Sequence, residues 1–342
     1  MEKEYTIAID AMGGDYAPKE IVEGVLLARE RYENINFNLY GNKGQILAII
    51  GDRDQNRIKI INTTEIIEMG EEPVKAVRSK KDSSLVAAAD AVKNGEADAL
   101  FSAGNTGALL ASGIFIVGRI KGIQRPALLT VLPSVADEKR SWVFMDAGAN
   151  AEVKPSYLYQ FAVIGNFYAK NVLKRKDPEI KLLNNGEEED KGDRIHIEAH
   201  QLLKNSKHLN FTGNIESRYL LEGNADVVVA DGFSGNAALK AIEGTALSMF
   251  SGLRKVLTDS GLTTKIGAAL VKPALKKFAA VLDYNQAGGA VIAGVKAPVV
   301  KTHGSAKAPA VANTIGQIKT ILEKDFVGNI TNYIQQNPDE FK

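Results

Sequence analysis

Residues 5–10, YTIAID, form a short, mostly apolar run, and further short runs recur along the chain, several of them apolar on both faces. They are NFNLYG (36–41), RIKIIN (57–62), ALFSAG (99–104), LLTVL (128–132), WVFMDAG (142–148), IKLLNN (180–185) and DVVVADG (226–232). Strands with no polar face belong inside a parallel sheet covered by helices. Between them lie longer segments of helical spacing, such as PKEIVEGVLLARERY, with Pro18 at a first-turn position. The alternation predicts an α/β protein with a doubly wound sheet, whose ligands bind beyond the carboxyl ends of the strands. One stretch breaks the rhythm. From Asn236 to about Ala280 the pattern is helical, with a short break near DSGLTTK. Its second half mixes Leu, Ile, Val and Phe with lysines and has no acid, which suits either a helical hairpin against a second subunit or a helix on an anionic lipid surface.

The strand ends share a chemistry. The first runs into Asp10, Gly13, Gly14 and Asp15. SAGNTGA supplies Ser102, Gly104, Asn105, Thr106 and Gly107, and DAGAN supplies Asp146 and Asn150. NNGEEEDKG supplies Asn184 and Lys191, and DGFSGN supplies Asp231, Gly232, Gly235 and Asn236. Such residues serve plain turns. Glycine also admits close backbone approach to a ligand, and a helix starting after such a loop offers free N–H groups to an anion. Five loops of like chemistry at one kind of sheet edge favour a shared anion-binding cleft. The acids from Glu187 to Asp190 read as a solvated loop, and Lys191 either neutralises them or holds a ligand charge.

Composition narrows the chemistry further. The chain has 342 residues, 42 Lys and Arg against 41 Asp and Glu, and a formal net charge of +1, so no global field draws nucleic acid. It has no cysteine, which excludes a disulfide framework, a thiolate nucleophile and thiolate metal ligation. The first ten residues carry no basic and apolar pattern of a signal peptide. No P-loop, no G-x-S-x-G elbow and no G-x-G-x-x-G after the first strand occur, so no cofactor is expected. His196 and His200 share a helix face, and that face is expected to be solvated rather than metal-binding. What remains suits holding an anion and stabilising developing negative charge with fixed dipoles.

The segments IAIDAMGGDYAPKEIVEG, SAGNTGALLASG, IKGIQRPAL, MDAGANAEVKP, VVVADGFSGNAALK and GGAVIAGVKAPVVKTHGS occur in order from about residue 5 to 320. Together they closely resemble the bacterial acyl-phosphate synthases of phospholipid synthesis, the PlsX family. Asn185, Ser217 and Tyr219 depart from the family pattern. The resemblance implies a three-layer α/β/α fold related to phosphotransacetylases and isopropylmalate dehydrogenases. It implies one catalytic unit over 1–342, divisible into lobes of about 1–125 with 285–342 and about 126–284, with a helical hairpin at 245–282 for dimerisation and membrane contact. The implied reaction is attack of inorganic phosphate on the thioester of a long-chain acyl-acyl carrier protein, without an acyl-enzyme. The acyl phosphate then serves a membrane glycerol-3-phosphate acyltransferase. The implied state is a cytoplasmic homodimer bound peripherally to the inner membrane face, with lipid contact at Leu262, Ile266, Leu270 and Leu275.

Given that reaction, the SAGNTG loop is expected to hold phosphate through its backbone and the Asn105 and Thr106 side chains. Lys191 supplies positive charge, Asn236 meets the oxyanion or phosphate, and His303 is the candidate general acid. Asp10, Asp146 and Asp231 orient amides or the lysine. Basic docking candidates for the acidic carrier protein are Arg78, Lys80 and Lys81, and Lys272, Lys276 and Lys277. Competing readings are a phosphotransacetylase acting on short acyl-CoA, a β-decarboxylating dehydrogenase, and a membrane scaffold without turnover.

Overall fold

The computed structural model describes residues 3–137, 140–259, 261–281 and 288–341. Among them the eight apolar runs form strands β1 (Tyr5–Asp10), β2 (Ile35–Gly41), β3 (Ile58–Asn62), β4 (Ala99–Ser102), β5 (Ala127–Pro133), β6 (Ser141–Met145), β7 (Glu179–Asn184) and β9 (Val227–Val229). Three strands were not read from the pattern: β8 (Asn210–Glu216), β10 (Ala290–Ala293) and β11 (Val299–Lys301). All belong to one sheet of order β3-β2-β1-β4-β11-β10-β5-β6-β9-β7-β8.

Helices cover both faces. On one lie α1 (Lys19–Arg31), α2 (Lys43–Ile50), α6 (Pro155–Asn171), α7 (Arg194–Lys204), α10 (Ala308–Glu323) and α11 (Phe326–Gln336). On the other lie α3 (Pro73–Ser79), α4 (Ser84–Lys93) and α5 (Thr106–Ser112), the last running into a π-helical turn, Gly113–Val117. Prolines open α3 and α6, where the missing N–H has no helical acceptor to lose. Alternate residues of β1 enter separate cores, Ile7 and Ile9 on one face and Ala8 on the other, as a strand covered on both sides requires. A long hairpin, α8 (Gly232–Asp259) and α9 (Leu262–Val281), continues from β9.

Strand direction changes the reading of the strand ends. β1, β2, β3, β4 and β11 are mutually parallel. β6, β9, β7 and β8 are also mutually parallel. The link between the two sets runs from β11 antiparallel to β10, antiparallel to β5, and antiparallel to β6. Three reversals leave the second set opposed to the first. The five glycine-rich loops therefore do not share one sheet edge. The Asp10 and SAGNTG loops, with the loop after β11, lie at one edge. DAGAN, NNGEEEDKG and DGFSGN lie at the other. The expectation of one cleft within a single chain is corrected on that point.

Candidate active site

At the first edge the loops are knitted together by a buried acid. Asp10 Oδ1 accepts the Ser84 hydroxyl at 2.6 Å and Oδ2 accepts the Ser102 hydroxyl at 2.7 Å. Ser102 Oγ in turn accepts the Gly104 N–H at 2.9 Å. A Cβ on Gly13 would stand 2.3 Å from Asp10 Oδ2 and 2.9 Å from the Gly104 nitrogen, so only glycine fits. Burial pushes the Asp10 carboxyl above the usual range, against the hydrogen bonds from Ser84, Ser102 and the Met12 and Gly13 amides. Asp10 is thus a positioning group with no open oxygen. Gly14, at φ +116°, packs on Ala103 and the Gly304 carbonyl, which also accepts the Asp15 N–H at 2.8 Å.

Asn105 caps α5, accepting the Ala108 N–H at 3.0 Å. Its amide donates to the carbonyls of Glu68, Met69 and Glu71. Both ends of that side chain are used inside the protein, so the expectation that it holds phosphate is corrected to an anchoring role. Thr106 is exposed beside it, and the first N–H groups of α5 have no helical acceptor.

Lys301, the last residue of β11, and His303 just after it complete this edge. His303 is exposed; its Nδ1 accepts the Ser305 N–H at 3.2 Å, which leaves Nε2 to carry the proton of the neutral ring. Lys301 is aligned with Ser102 across the β11–β4 pair, and its Nζ donates to the Thr302 carbonyl at 2.8 Å. Burial draws its pKa down to about 8, with the Asp15 charge opposing. Lys301 escaped the motif reading, although a lysine closing an apolar strand just before His303 and Gly304 was the available signal.

At the second edge Asp146 is fully buried and does for DAGAN what Asp10 does above. Its oxygens accept the N–H groups of Leu128, Gly148, Ala149 and Asn150, and the Asn150 amide at 2.8 Å. Asn150 also donates to the Pro126 carbonyl at 2.9 Å. Burial pushes the Asp146 carboxyl up against these bonds. Gly232 and Gly235 press onto this loop. A Cβ on Gly232 would stand 2.6 Å from the Asn150 carbonyl oxygen, and one on Gly235 would stand 2.0 Å from that of Asp146. The close approach they allow is to protein backbone, which corrects the reading of these glycines as ligand-facing.

Asp231 caps α8, its Oδ1 accepting the N–H groups of Phe233 and Ser234 at 2.9 and 2.8 Å. Its other oxygen lies 3.6 Å from His196 Nε2, and His196 Nδ1 lies 2.8 Å from Asp193. Burial opposes ionisation of Asp231, but His196 and Ser234 outweigh it and hold the pKa down at about 2. The His196 pKa is raised first by the nearby Asp231 carboxylate and then by Asp193, against burial. His196 is therefore the link between α7 and the DGFSGN loop. His200, expected on the same solvated face, is buried, with Nδ1 2.9 Å from Asn214 Oδ1. Its side chain completes the packing under β8 instead.

The donors Asn236 and Lys191 at this edge have no side-chain partner among the described residues. Asn236 lies against Gly148, half-buried, and its amide makes no hydrogen bond among the described residues. Lys191 is exposed and forms no ion pair among the described residues; its neighbour Glu189 is paired to Lys204 at 2.7 Å. The lysine stem crosses Gly186, where a Cβ would meet its Cγ at 2.7 Å. Asn184 closes the loop, accepting the Asn185 N–H and donating to the Lys191 carbonyl at 3.0 Å, so its expected ligand contact gives way to holding Lys191.

On the hairpin, Ile266 and Leu270 point outward, 57% and 78% exposed. Leu275 instead turns into an apolar recess, which corrects its expected lipid contact, and the Leu262 side chain lies outside the described residues. Lys272 and Lys276 are exposed, and the Lys277 side chain lies outside the described residues. Arg78 is exposed, Lys81 donates to the Val77 carbonyl, and Lys80 is committed to Glu71 and the Ile66 carbonyl. Among the described residues no helix is long and apolar enough to cross a membrane.

The chain is 77% identical to a phosphate acyltransferase of Oenococcus oeni, covering all of this chain and 98% of that one. It is 62% identical to a phosphate acyltransferase of Leuconostoc citreum over 98% of this chain and 96% of the relative. Its fold matches a branched-chain phosphotransacylase from Enterococcus faecalis at TM-score 0.56 and 15% identity, covering 92% of this chain and 98% of that one. A phosphotransacetylase from Staphylococcus aureus matches at TM-score 0.57 and 15% identity, over 93% and 94% of the two chains. The family model described as fatty acid synthesis protein matches residues 5–329, and the chain belongs to that family, the PlsX family.

Proposed function

We propose that the protein is an acyltransferase that moves a long-chain acyl group from acyl carrier protein to inorganic phosphate, reversibly and without an acyl-enzyme. The observation that carries this reading is the Asn236 amide, half-buried against Gly148 with no hydrogen bond among the described residues, beside a loop that carries the uncommitted Lys191 ammonium. Fixed donors that lack a protein acceptor are what a developing oxyanion needs. The family membership and the names of the relatives agree with acyl transfer involving phosphate.

A phosphate oxygen attacks the thioester carbon, forming the C–O bond as the carbonyl becomes an oxyanion. The Asn236 amide and the Lys191 ammonium stabilise that charge. Collapse breaks the C–S bond and releases the phosphopantetheine thiolate. With a parent thiol pKa of about 8.5, this leaving group needs no strong acid. His303 Nε2–H returns a proton to that thiolate in this reading. Phosphate is held by the first N–H groups of α5, near Thr106 and Gly107, with Lys301 adding positive charge.

These roles draw on both sheet edges, which face away from each other in one chain. A homodimer is the arrangement that supplies both at one site, with the first edge of one copy against the second edge of the other. Phe233, in the DGFSGN loop, offers that edge an apolar side chain that is 72% exposed. Outward Ile266, Leu270 and Val271 beside Lys265 and Lys272 give α9 the character of a helix on an anionic membrane surface, from which acyl phosphate passes to a membrane glycerol-3-phosphate acyltransferase. The test is to incubate purified protein with palmitoyl-carrier protein and phosphate and trap product with hydroxylamine. Palmitoyl hydroxamate that depends on phosphate is expected. Preference for acetyl-CoA over every long-chain substrate would replace this reading with a short-chain phosphotransacetylase.

A further inference from the structure

We infer that the recess between α8, α9 and the 3₁₀ turn Ser217–Glu222 is the binding site for the substrate's acyl chain, an inference that rests on the reaction proposed above. The cavity has a volume of about 730 Å³, inside the range of about 300–1,000 Å³ of sites that bury most of a small molecule. Ala238, Ala241 and Ala246 form its floor along α8, and Leu220, Leu275 and Phe278 form its walls. The alanines recur at i, i+3 and i+8, one face of a helix, and their small side chains are what leave the space open.

Three features select an acyl chain as the occupant. The first is continuity with the site. α8 begins at Gly232 and carries Asn236 in its second turn, and the recess starts at Ala238. The second is its mouth. Ser217 and Arg218 line the recess directly after β8, and Glu216 at the end of β8 is aligned with Asn184 at the start of the Lys191 loop. Arg218 is ion-paired to Glu216, so the opening is polar and the depth is apolar. A thioester at the mouth lies beside the loop carrying Lys191. The third is length. From Ala238 to Leu253 the floor rises by about 22 Å at 1.5 Å per residue. Half of a ~30 Å bilayer core, the depth taken up by one long acyl chain, is about 15 Å.

The recess also explains a feature that the reaction alone leaves idle. Leu275 and Phe278 sit on the membrane-directed helix yet line the recess, Phe278 with 40% of its surface still exposed. A chain drawn between α8 and α9 is thereby screened from water while its far end points along the hairpin.

Palmitic acid bearing a diazirine at its terminal carbon tests this on the intact protein, independently of turnover. After irradiation, label is expected on residues 245–253 of α8 or 275–278 of α9, competed by palmitate and much less by octanoate. Ala246→Phe is expected to lower that labelling by about tenfold or more and to shift turnover toward shorter acyl chains, with an unchanged melting temperature. Label outside the recess, or none, overturns the inference without needing any variant. If Ala246→Phe breaks the dimer and leaves labelling unchanged, the slot belongs to a second copy and the inference also falls. Label in the recess of a protein that makes no acyl phosphate would retain the acyl site and remove the reaction.

Discussion

Replacing Asn236 by alanine tests both the chemistry and the geometry. Its amide has no protein hydrogen bond among the described residues, so removing it strands no partner, and stability should change by no more than about 0.5 kcal/mol. Loss of one oxyanion donor typically lowers kcat by about 10²–10³, or ~2.7–4 kcal/mol of transition-state stabilisation. Lys301→Ala should likewise disable the first edge. The shared-site arrangement then makes a quantitative claim. In a two-fold dimer that carries one copy of each variant, one site joins both defects and the other joins two intact edges. Mixed dimers, isolated by co-expression with two different tags and assayed as palmitoyl hydroxamate, should recover about half of wild-type activity. A random mixture of copies should recover about a quarter. Mixed dimers no more active than the mean of the two variants would refute the shared site and return all of the chemistry to one chain.

Other expectations follow from single contacts. Lys301, with its pKa brought down to about 8 by burial, is cationic below that pH and neutral above it. KM for phosphate should therefore rise as pH passes through 8, and Lys301→Arg should move that rise upward because guanidinium stays charged; identical profiles would remove Lys301 from the phosphate site. Gly235→Ala places a Cβ 2.0 Å from the Asp146 carbonyl oxygen, and a loss of at least ~1–3 kcal/mol in denaturant titration is expected. Leu270→Glu, at a site 78% exposed, should weaken sedimentation with anionic vesicles and leave activity on soluble substrate intact. Persistent vesicle binding would exclude that face of α9.

The strands most legible in the sequence are those whose burial leaves no polar face. Val227 to Val229 are all nearly inaccessible, and a run of that kind has few structural homes. β8, NFTGNIE, hid because it is the outer strand of the sheet with one face partly wet, so its pattern is weak. β10 and β11 hid because they are short and antiparallel to each other, with their hydrogen bonds rather than their apolar content defining them. Lys191 and Asn236 were picked out by residue type alone. Asn105 and Asn184 looked the same in sequence, and only their geometry shows the amides committed to the carbonyls of Met69 and Lys191. Strand direction is the deepest gap. A run apolar on both faces reads identically whichever way it is laid into a sheet, so no periodicity separates one edge from two.

That gap bears directly on how the loops work. Glycine-rich strand ends were read as ligand cradles, yet Gly13, Gly232 and Gly235 are required by contacts with other loops. Asp10 and Asp146 spend their charges on hydroxyl and backbone donors, each fixing a loop whose own groups then need no reorganisation. This is the costly part of an electrostatic site, because a dipole that must turn during the reaction stabilises little. It also explains why so few side chains remain open. In the proposed reaction, with the loops held by buried acids, one amide and one ammonium at the second edge, with Lys301 and helix N–H groups at the first, serve a phosphate that is itself the nucleophile. That proposal calls for no cysteine or activated serine, because the substrate brings the attacking oxygen.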